Sequence, residues 1–281
     1  MRLRNPGNIE RAVSSVNQVK GELGNASTQG QSPVARADAF LTWCDSWGTP
    51  QLGNHFLADE SIFAELTDSY HRISALQLAA MPVRQANGIM NREFREWDTR
   101  LDRLLGKLSE MAAFLGHPGR VVVLDTSALM EGIFFTEFDW HQLDPSLSAT
   151  AIRLVVPSLV TEELDELKRH RDGRRKAQAR RVLTSLWDLH RAMPSAPAAL
   201  PKRPDVTIEV LLDSGWHQRM PNNDGEIIDQ AVSLKELTGE QVILAAADYT
   251  QLYRAAPVGL LAALMPRPVD ASSAPATSEE R

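Results

Sequence analysis

The sequence has almost no cysteine, since Cys44 is the only one among 281 residues. An internal disulfide is therefore excluded, and the composition suits a reducing compartment, so we expect a cytoplasmic protein. Long hydrophobic runs are also missing, because the apolar run VGLLAALM is far too short to span a bilayer. The N-terminal MRLRNPGNIERAV is basic but lacks the apolar segment of a secretory signal. We therefore expect no membrane partner.

A general excess of positive charge is missing too, because the formal net charge is −6 at pH 7. This balance excludes a basic surface over the whole protein but not a local one. One basic cluster lies directly after Glu163 and comprises Lys168, Arg169, Arg171, Arg174, Arg175, Lys176, Arg180 and Arg181. The chain is thus acidic overall and strongly basic in one place.

The N-terminal part of the chain has no convincing strand pattern. Residues 1–35 are rich in Asn, Gly, Ser and Gln, and we expect a flexible segment there, with a short helix over 8–23. Residues 36–117 are predicted to be helical. Apolar residues three and four apart between Ile62 and Leu76 predict an amphipathic helix that ends near Pro82. A second helix repeats by four and three through Met90, Phe94, Trp97, Leu101, Leu104, Leu108, Met111 and Leu115.

The repeat in this second helix has the 3.5-residue period of helices that pack along a long seam. An antiparallel hairpin with the preceding helix is the favoured explanation, because a short link containing proline joins neighbours in space. A homodimer or a partner protein bound through the helix over 90–115 is the alternative. The sequence leaves both open.

From residue 118 the pattern changes to strands that alternate with helices. The predicted strands are 120–124, 152–157, 205–213 and 241–246, and the predicted helices are 160–168, 174–191, 224–237 and 250–255. Residues 195–204 indicate a linker, and residues 259–265 allow one more short element. The alternation predicts an α/β domain over 118–265, with a parallel sheet between two layers of helices. We expect the Pro/Ser/Ala-rich tail, 266–281, to be disordered.

Four acidic residues in this part end or open predicted elements, namely Asp125, Glu163, Asp224 and Asp248. None has Lys or Arg within four positions, so their charge needs another counterion. In a doubly wound sheet, ligands bind outside the carboxyl ends of the strands where the strand order reverses, and we expect all four to face that crevice. Two like charges about 4 Å apart repel by ~4 kcal/mol at an effective dielectric near 20. Oxygen ligands without His or Cys favour Mg²⁺ or Mn²⁺ over Zn²⁺.

Each acid also has an ordinary alternative role. Asp125 and Asp224 are well placed to cap the helices that follow them. Glu163 lies in the acidic helix TEELDEL, where a solvated face competes with a functional role. Asp248 follows three alanines and is harder to explain as a surface residue. Acids that could substitute on the same helices are Glu162, Glu226 and Asp229.

Residues from Val121 to about Met265 resemble the PIN domain, a family of metal-dependent ribonucleases. The motifs that carry the resemblance are LDTSAL, VPSLVTEELDELK, NNDGEIIDQA and VILAAADYTQLYRA, which occur in the family's order. The resemblance implies an acidic tetrad of Asp125, Glu163, Asp224 and Asp248 that is catalytic and binds Mg²⁺ or Mn²⁺. It also implies that Ser127 hydrogen-bonds into this cluster. The helical N-terminal region matches no family motif.

The function implied by the resemblance is a divalent-metal-dependent endoribonuclease that hydrolyses RNA phosphodiester bonds. The residues expected to bind RNA phosphates beside the site are Lys168, Arg169, Arg171, Arg174, Arg175 and Lys176. A solvated helix face is the alternative for this cluster. Trp216 and His217 are weaker candidates for contact with a base. Two other functions stay open, a catalytically silent PIN-like RNA-binding or scaffold protein and the toxin component of a toxin–antitoxin pair.

Overall fold

The structure is a computed structural model that describes residues 9–56, 61–169, 171–194, 196–213 and 219–268. The chain divides into two compact units. The first comprises Met1–Gly116 with Leu237–Gly239, and the second comprises His117–Glu236 with Glu240–Arg281. No helix among the described residues is long and apolar enough to cross a membrane.

The first unit is helical throughout its described residues, apart from the turns that connect the helices. Its helices are α1 (Ile9–Thr28), α2 (Pro33–Trp43), α3 (Thr49–His55), α4 (Ser61–Ala75) and α5 (Val83–Leu115). A π-helical segment, Cys44–Gly48, joins α2 to α3. The helical prediction for residues 36–117 therefore agrees with the structure.

Helix α1 occupies most of the segment that we expected to be flexible apart from a short helix. Its residues Ala12, Val16, Val19 and Leu23 are buried in the core of the helical unit. Their spacing is that of one helix face, but the many Asn, Ser, Gly and Gln residues between them conceal it. The helix also extends beyond the short helix that we predicted, to Thr28.

The seam of α5 packs inside the helical unit. Six of its predicted residues are buried, namely Met90, Phe94, Trp97, Leu101, Leu104 and Leu108. Helix α5 packs against α1, and α4 contacts it through Ser69, whose Oγ accepts a hydrogen bond from Trp97 Nε1 at 3.0 Å. The apolar stripe is thus already covered, so the structure does not support a dimer or partner surface along residues 90–115.

The second unit contains a six-stranded sheet with flanking helices. Its strands are β1 (Arg120–Leu124), β2 (Ile152–Pro157), β3 (Ala198–Leu200), β4 (Arg203–Leu211), β5 (Ile243–Ala246) and β6 (Leu261–Leu264). Its helices are α6 (Thr126–Glu131), α7 (Ser158–Leu167), α8 (Gly173–Ala192), α9 (Asn223–Thr238) and α10 (Tyr249–Ala255). The spatial order is β3-β4-β2-β1-β5-β6, and every pairing except β3 with β4 is parallel. The predicted PIN-like α/β fold is confirmed.

The edge strand β3 lies where we expected a linker. It pairs antiparallel with β4 across a two-residue turn, in which Lys202 has a φ of 66°. Beyond β6, Pro266 still belongs to the described fold, because its carbonyl accepts a hydrogen bond from Ile133 N at 2.9 Å. The tail that we expected to be disordered lies outside the described residues from 269 onward.

Candidate functional site

The strand order reverses between β1 and β5. From β1 the chain proceeds to β2 and β4 on one side, whereas β5 and β6 lie on the other. Val122 is paired with Leu154 of β2 and with Ile243 of β5, so β1 is central. Asp125 follows β1 directly and Asp248 comes two residues after β5. A ligand crevice is expected at this point of a doubly wound sheet.

Asp125 is buried at this edge of the sheet, with 5% of its surface exposed. Its Oδ2 accepts hydrogen bonds from the backbone N of Ser127 at 3.0 Å and from Ser127 Oγ, so it caps α6. Ser127 Oγ in turn accepts from Ala247 N at 2.9 Å, which ties the end of β1 to the end of β5. Burial raises the pKa of Asp125, the charge of Glu163 adds to the rise, and the hydrogen bonds from Ser127 oppose it. Capping and a functional role are therefore compatible at this residue.

Glu163 lies beside Asp125. Thr126 Oγ1 donates to Glu163 Oε2, and Asn223 Nδ2 donates to Glu163 Oε1 at 2.8 Å. Its neighbour Glu162, the alternative acid on α7, forms a bidentate ion pair with Arg219, with both N–O distances at 2.6 Å. Those hydrogen bonds lower the pKa of Glu162. Of the two acids, Glu163 is the one placed next to Asp125.

Asp224 and Asp248 have different surroundings. Asp224 lies in the first turn of α9, and its Oδ2 accepts from Arg254 NH1 at 2.6 Å. Asp248 is exposed and caps α10, where its Oδ1 accepts from Thr250 N at 2.8 Å. Within the described part of the chain, no hydrogen bond or ion pair joins Asp248 to the other three acids. Asp248 thus caps α10 at the surface, and α10 brings Asp224 the counterion that its local sequence lacks.

A buried amide connects two of these acids. Gln251, on α10, donates from Nε2 to Asp125 Oδ1 at 3.4 Å and to the backbone oxygen of Asp224 at 3.3 Å. Its Oε1 is buried and has no hydrogen-bond partner among the described residues. The end of β1, the start of α9 and the middle of α10 therefore meet at this side chain.

Sequence reasoning missed five residues that contact the acids, namely Thr126, Gln251, Arg254, Arg219 and Asn223. Asn223 carries a local signal, because it precedes a helix and the predicted acid Asp224. The local sequence around Arg254 and Gln251 carries no such signal, since the acids that they contact lie 30 and 126 positions away. Glu226, one of the alternatives to Asp224, is buried and accepts hydrogen bonds from Met220 N and from a glutamine on the same helix, both at 2.7 Å.

The basic cluster continues from the end of α7 into the first half of α8. Lys168 and Arg169 pair with Asp165, and Arg175 pairs with Glu131 at 3.7 Å. The remaining RNA candidates, Arg171, Arg174 and Lys176, form no ion pair with a described residue. Gln178 on α8 donates to Leu129 O at 3.3 Å, so α8 lies against α6, the helix that begins after Asp125. Trp216 and His217 lie outside the described residues.

The oxygen atoms at the site are of the kind that a hard divalent cation binds. Over the described ranges, no three His, Cys, Asp or Glu side chains lie close enough together to bind one ion. Mg²⁺, however, keeps several waters and is usually bound through one or two carboxylates together with substrate phosphates. Asp125 and Glu163 supply two such carboxylates, and the buried Oε1 of Gln251 is a further oxygen without a hydrogen-bond donor. These residues therefore fit Mg²⁺ or Mn²⁺.

Comparison with known proteins gives one family. A family model of the PIN domain matches residues 122–265, which is slightly more than half of the chain. The match starts in β1 and ends just after β6, so it covers the sheet and the four acids. The helices α1 to α5 lie outside it. No curated protein matches the chain.

Proposed function

Since the chain belongs to the PIN domain family, we propose that it is a divalent-metal-dependent endoribonuclease that hydrolyses RNA phosphodiester bonds. PIN domains are generally nucleases, typically use divalent metals and commonly bind RNA. The observation that supports the proposal in this chain is the buried carboxylate of Asp125, which lies next to Glu163. No described Lys or Arg forms an ion pair with Asp125.

A bound cation would offset the unfavourable negative charge at Asp125 and Glu163. Burial and the neighbouring Glu163 both raise the pKa of Asp125, so the ionised form is unfavourable in the protein alone. A divalent ion at the two carboxylates would favour the ionised form of Asp125. We propose Asp125 and Glu163 as the residues that hold Mg²⁺ or Mn²⁺ directly, with Asp224 and Asp248 acting on the ion through the waters that it keeps. When bound, such an ion lowers the pKa of a water and stabilises the leaving oxygen.

The side chains around the two acids would hold them in place for this chemistry. Ser127 fixes the carboxylate of Asp125 through two hydrogen bonds. Thr126 and Asn223 each bind one oxygen of Glu163. Groups held by such surrounding hydrogen bonds lose little entropy when they bind an ion or a substrate. Rigid placement of the acids would thus be the protein's own contribution to the reaction.

RNA binding is assigned to the basic cluster. Its exposed members lie on α8 and at the end of α7, and α8 lies against α6, the helix that begins after Asp125. The residues proposed to contact phosphates are Lys168, Arg169, Arg171, Arg174, Arg175 and Lys176. Phosphate contacts of this kind hold a nucleic acid in register without reading its sequence. A cytoplasmic location belongs to the same proposal and rests on the single cysteine.

Cleavage of a labelled mixed-sequence RNA in Mn²⁺ tests the proposal. The wild type should release products that disappear in EDTA. Asp125→Asn and Glu163→Gln should each lower the rate by about 100-fold or more, because loss of a residue that only supports a metal ligand already costs about 10–100-fold. Glu166→Gln is the matched control, because Glu166 is exposed on the same helix as Glu163, and it should cleave at the wild-type rate. Equal product from wild type and Asp125→Asn would contradict the nuclease assignment.

A catalytically silent RNA-binding or scaffold protein is the second candidate. It is favoured by two observations, the ion pair of Asp224 with Arg254 and the exposed position of Asp248. A silent protein would retain RNA binding in Asp125→Asn and would bind no Mn²⁺. Filter binding of the same labelled RNA, together with Mn²⁺ titration of the wild type, separates the two candidates.

A further inference from the structure

Gln251 is the most deeply buried polar side chain at the site, with 1% of its surface exposed. Both partners of its Nε2, Asp125 Oδ1 and the backbone oxygen of Asp224, accept hydrogen bonds. Because only the NH₂ group of an amide can donate to two acceptors, these partners determine the orientation of the side chain. The amide oxygen Oε1 must therefore point away from both of them.

The amide oxygen of Gln251 lacks a donor. Oε1 is buried, and no described residue donates a hydrogen bond to it. Buried polar side-chain atoms are hydrogen-bonded in the large majority of cases, and an exception calls for a specific partner such as an ion or a water. The nitrogen and oxygen of an amide share one carbon atom, so Oε1 belongs to the same rigid group whose Nε2 reaches Asp125. Amide oxygens are also among the ligands that hard divalent cations accept.

We propose that Gln251 is a further member of the metal site. In this role its Nε2 holds the carboxylate of Asp125, and its Oε1 is a neutral oxygen ligand of the same divalent cation. A third carboxylate beside Asp125 and Glu163 would add repulsion, whereas an amide oxygen adds coordination without charge. The inference rests on the proposed metal-dependent function, because it requires that Asp125 binds a cation.

Substitution by Leu and by Glu separates a ligand from a simple hydrogen-bond donor. Gln251→Leu removes both amide atoms and should weaken Mn²⁺ binding by about 10-fold or more. Gln251→Glu keeps an oxygen and adds a charge, so a ligand role predicts Mn²⁺ binding at least as tight as in the wild type. A role limited to donation predicts the reverse, because an ionised Glu cannot donate to Asp125 and would repel it.

The measurement is Mn²⁺ affinity of the full chain, by calorimetry or by electron paramagnetic resonance of the free ion. Gln230→Leu is the matched control, because Gln230 is also a buried glutamine whose Oε1 has no described partner. It contacts Glu226 and Asp213 instead of the site, and its loss should leave Mn²⁺ affinity unchanged. Thermal unfolding of each variant in EDTA and in Mn²⁺ shows whether it folds and gives a second readout of binding.

Two outcomes would overturn the assignment of Gln251 alone. The first is that Gln251→Leu binds Mn²⁺ as tightly as the wild type does. The second is that Gln251→Leu and Gln251→Glu weaken Mn²⁺ binding equally. In both cases Asp125→Asn must abolish Mn²⁺ binding. A wild type that binds no Mn²⁺, or that binds it as well as Asp125→Asn does, would overturn both the assignment and the proposed metal-dependent function. The two failures are therefore distinguishable.

Discussion

Replacing Asp125 by Asn should stabilise the metal-free protein and abolish its stabilisation by a divalent cation. The substitution removes a charge but keeps the size of the side chain. Ser127 can still donate from its backbone N and its Oγ to the amide oxygen of the new residue. Gln251 can turn its amide so that Oε1 accepts from the new NH₂ group, which replaces one of its two hydrogen bonds and gives up the long one to the backbone oxygen of Asp224. Most hydrogen bonds at the site can therefore be kept while the buried charge is lost.

The expected magnitude follows from the burial of this carboxylate. Asp125 is 5% exposed, lies beside Glu163 and has no described ion-pair partner. Single stabilising substitutions are commonly worth about 0.5–2 kcal/mol, and we expect a gain in this range for Asp125→Asn in EDTA. Mg²⁺ at 100 times its Kd would stabilise the wild type by about 2.7 kcal/mol and the variant much less. The order of stability should therefore reverse when Mg²⁺ is added.

The stability difference between Asp125→Asn and the wild type in EDTA should depend on pH in a defined direction. Burial raises the pKa of Asp125 above its ordinary value of 3.8. Between the ordinary and the raised pKa, the unfolded chain has lost this proton and the folded protein has kept it, so stability falls as pH rises. Below the ordinary pKa both states are protonated and Asp125 contributes nothing. The advantage of Asp125→Asn in EDTA should thus appear as pH rises above 3.8 and become constant above the raised pKa.

Urea unfolding followed by circular dichroism provides the assay, with wild type and Asp125→Asn compared in EDTA and in Mg²⁺. The chain forms two compact units, so two transitions are expected, and the one that responds to Mg²⁺ is assigned to the unit that contains β1. The reasoning is refuted if the variant is less stable than the wild type in EDTA, or if Mg²⁺ stabilises both proteins equally.

Two further predictions concern ion pairs of the second unit. Arg254→Gln releases Asp224 from a half-exposed ion pair worth about 0.2–1 kcal/mol. The Mn²⁺ affinity measured by calorimetry should therefore rise by up to about fivefold. An unchanged affinity would show that Asp224 does not act on the ion. Glu209→Ala removes a partner of Arg153, which is 1% exposed on β2, and should cost about 3–5 kcal/mol in urea unfolding. A loss below about 1 kcal/mol would mean that Arg153 is well satisfied without Glu209.

The central strands could be predicted from the sequence, whereas the edge strand β3 and the full length of α1 could not. Strands β1, β2 and β5 are buried on both faces, which makes them continuous apolar runs that stand out from their surroundings. Strand β3 has three residues in a Pro/Ala-rich stretch, and it forms only because β4 offers it an edge. Helix α1 was predicted only as a short helix in a flexible segment, because its apolar face is interrupted by polar residues with weak helix propensity.

At the site, the sequence indicated candidate acids but not their hydrogen-bond partners. Asp125 follows β1, and Glu163 lies on the helix that follows β2. Parallel strands bring their carboxyl ends to one edge, so the proximity of Asp125 and Glu163 follows from the fold. The contact of Arg254 with Asp224 depends instead on how α10 packs beside α9. Local sequence contains no information about a pairing across 30 residues. The absence of nearby basic residues therefore did not show that an acid lacks a counterion.

The position of β1 in the sheet has a consequence for synthesis of the protein. Asp125 is held by Ser127, whose Oγ accepts a hydrogen bond from Ala247, 120 residues further along the chain. Translation at about 5–20 residues per second leaves one edge of β1 unpaired for roughly 6–24 s, until β5 emerges from the ribosome. Under the proposed function, a nascent chain would be unable to cut RNA during this interval. The messenger RNA that encodes the protein would thus be safe from the chain that is being made on it while most of the domain is translated.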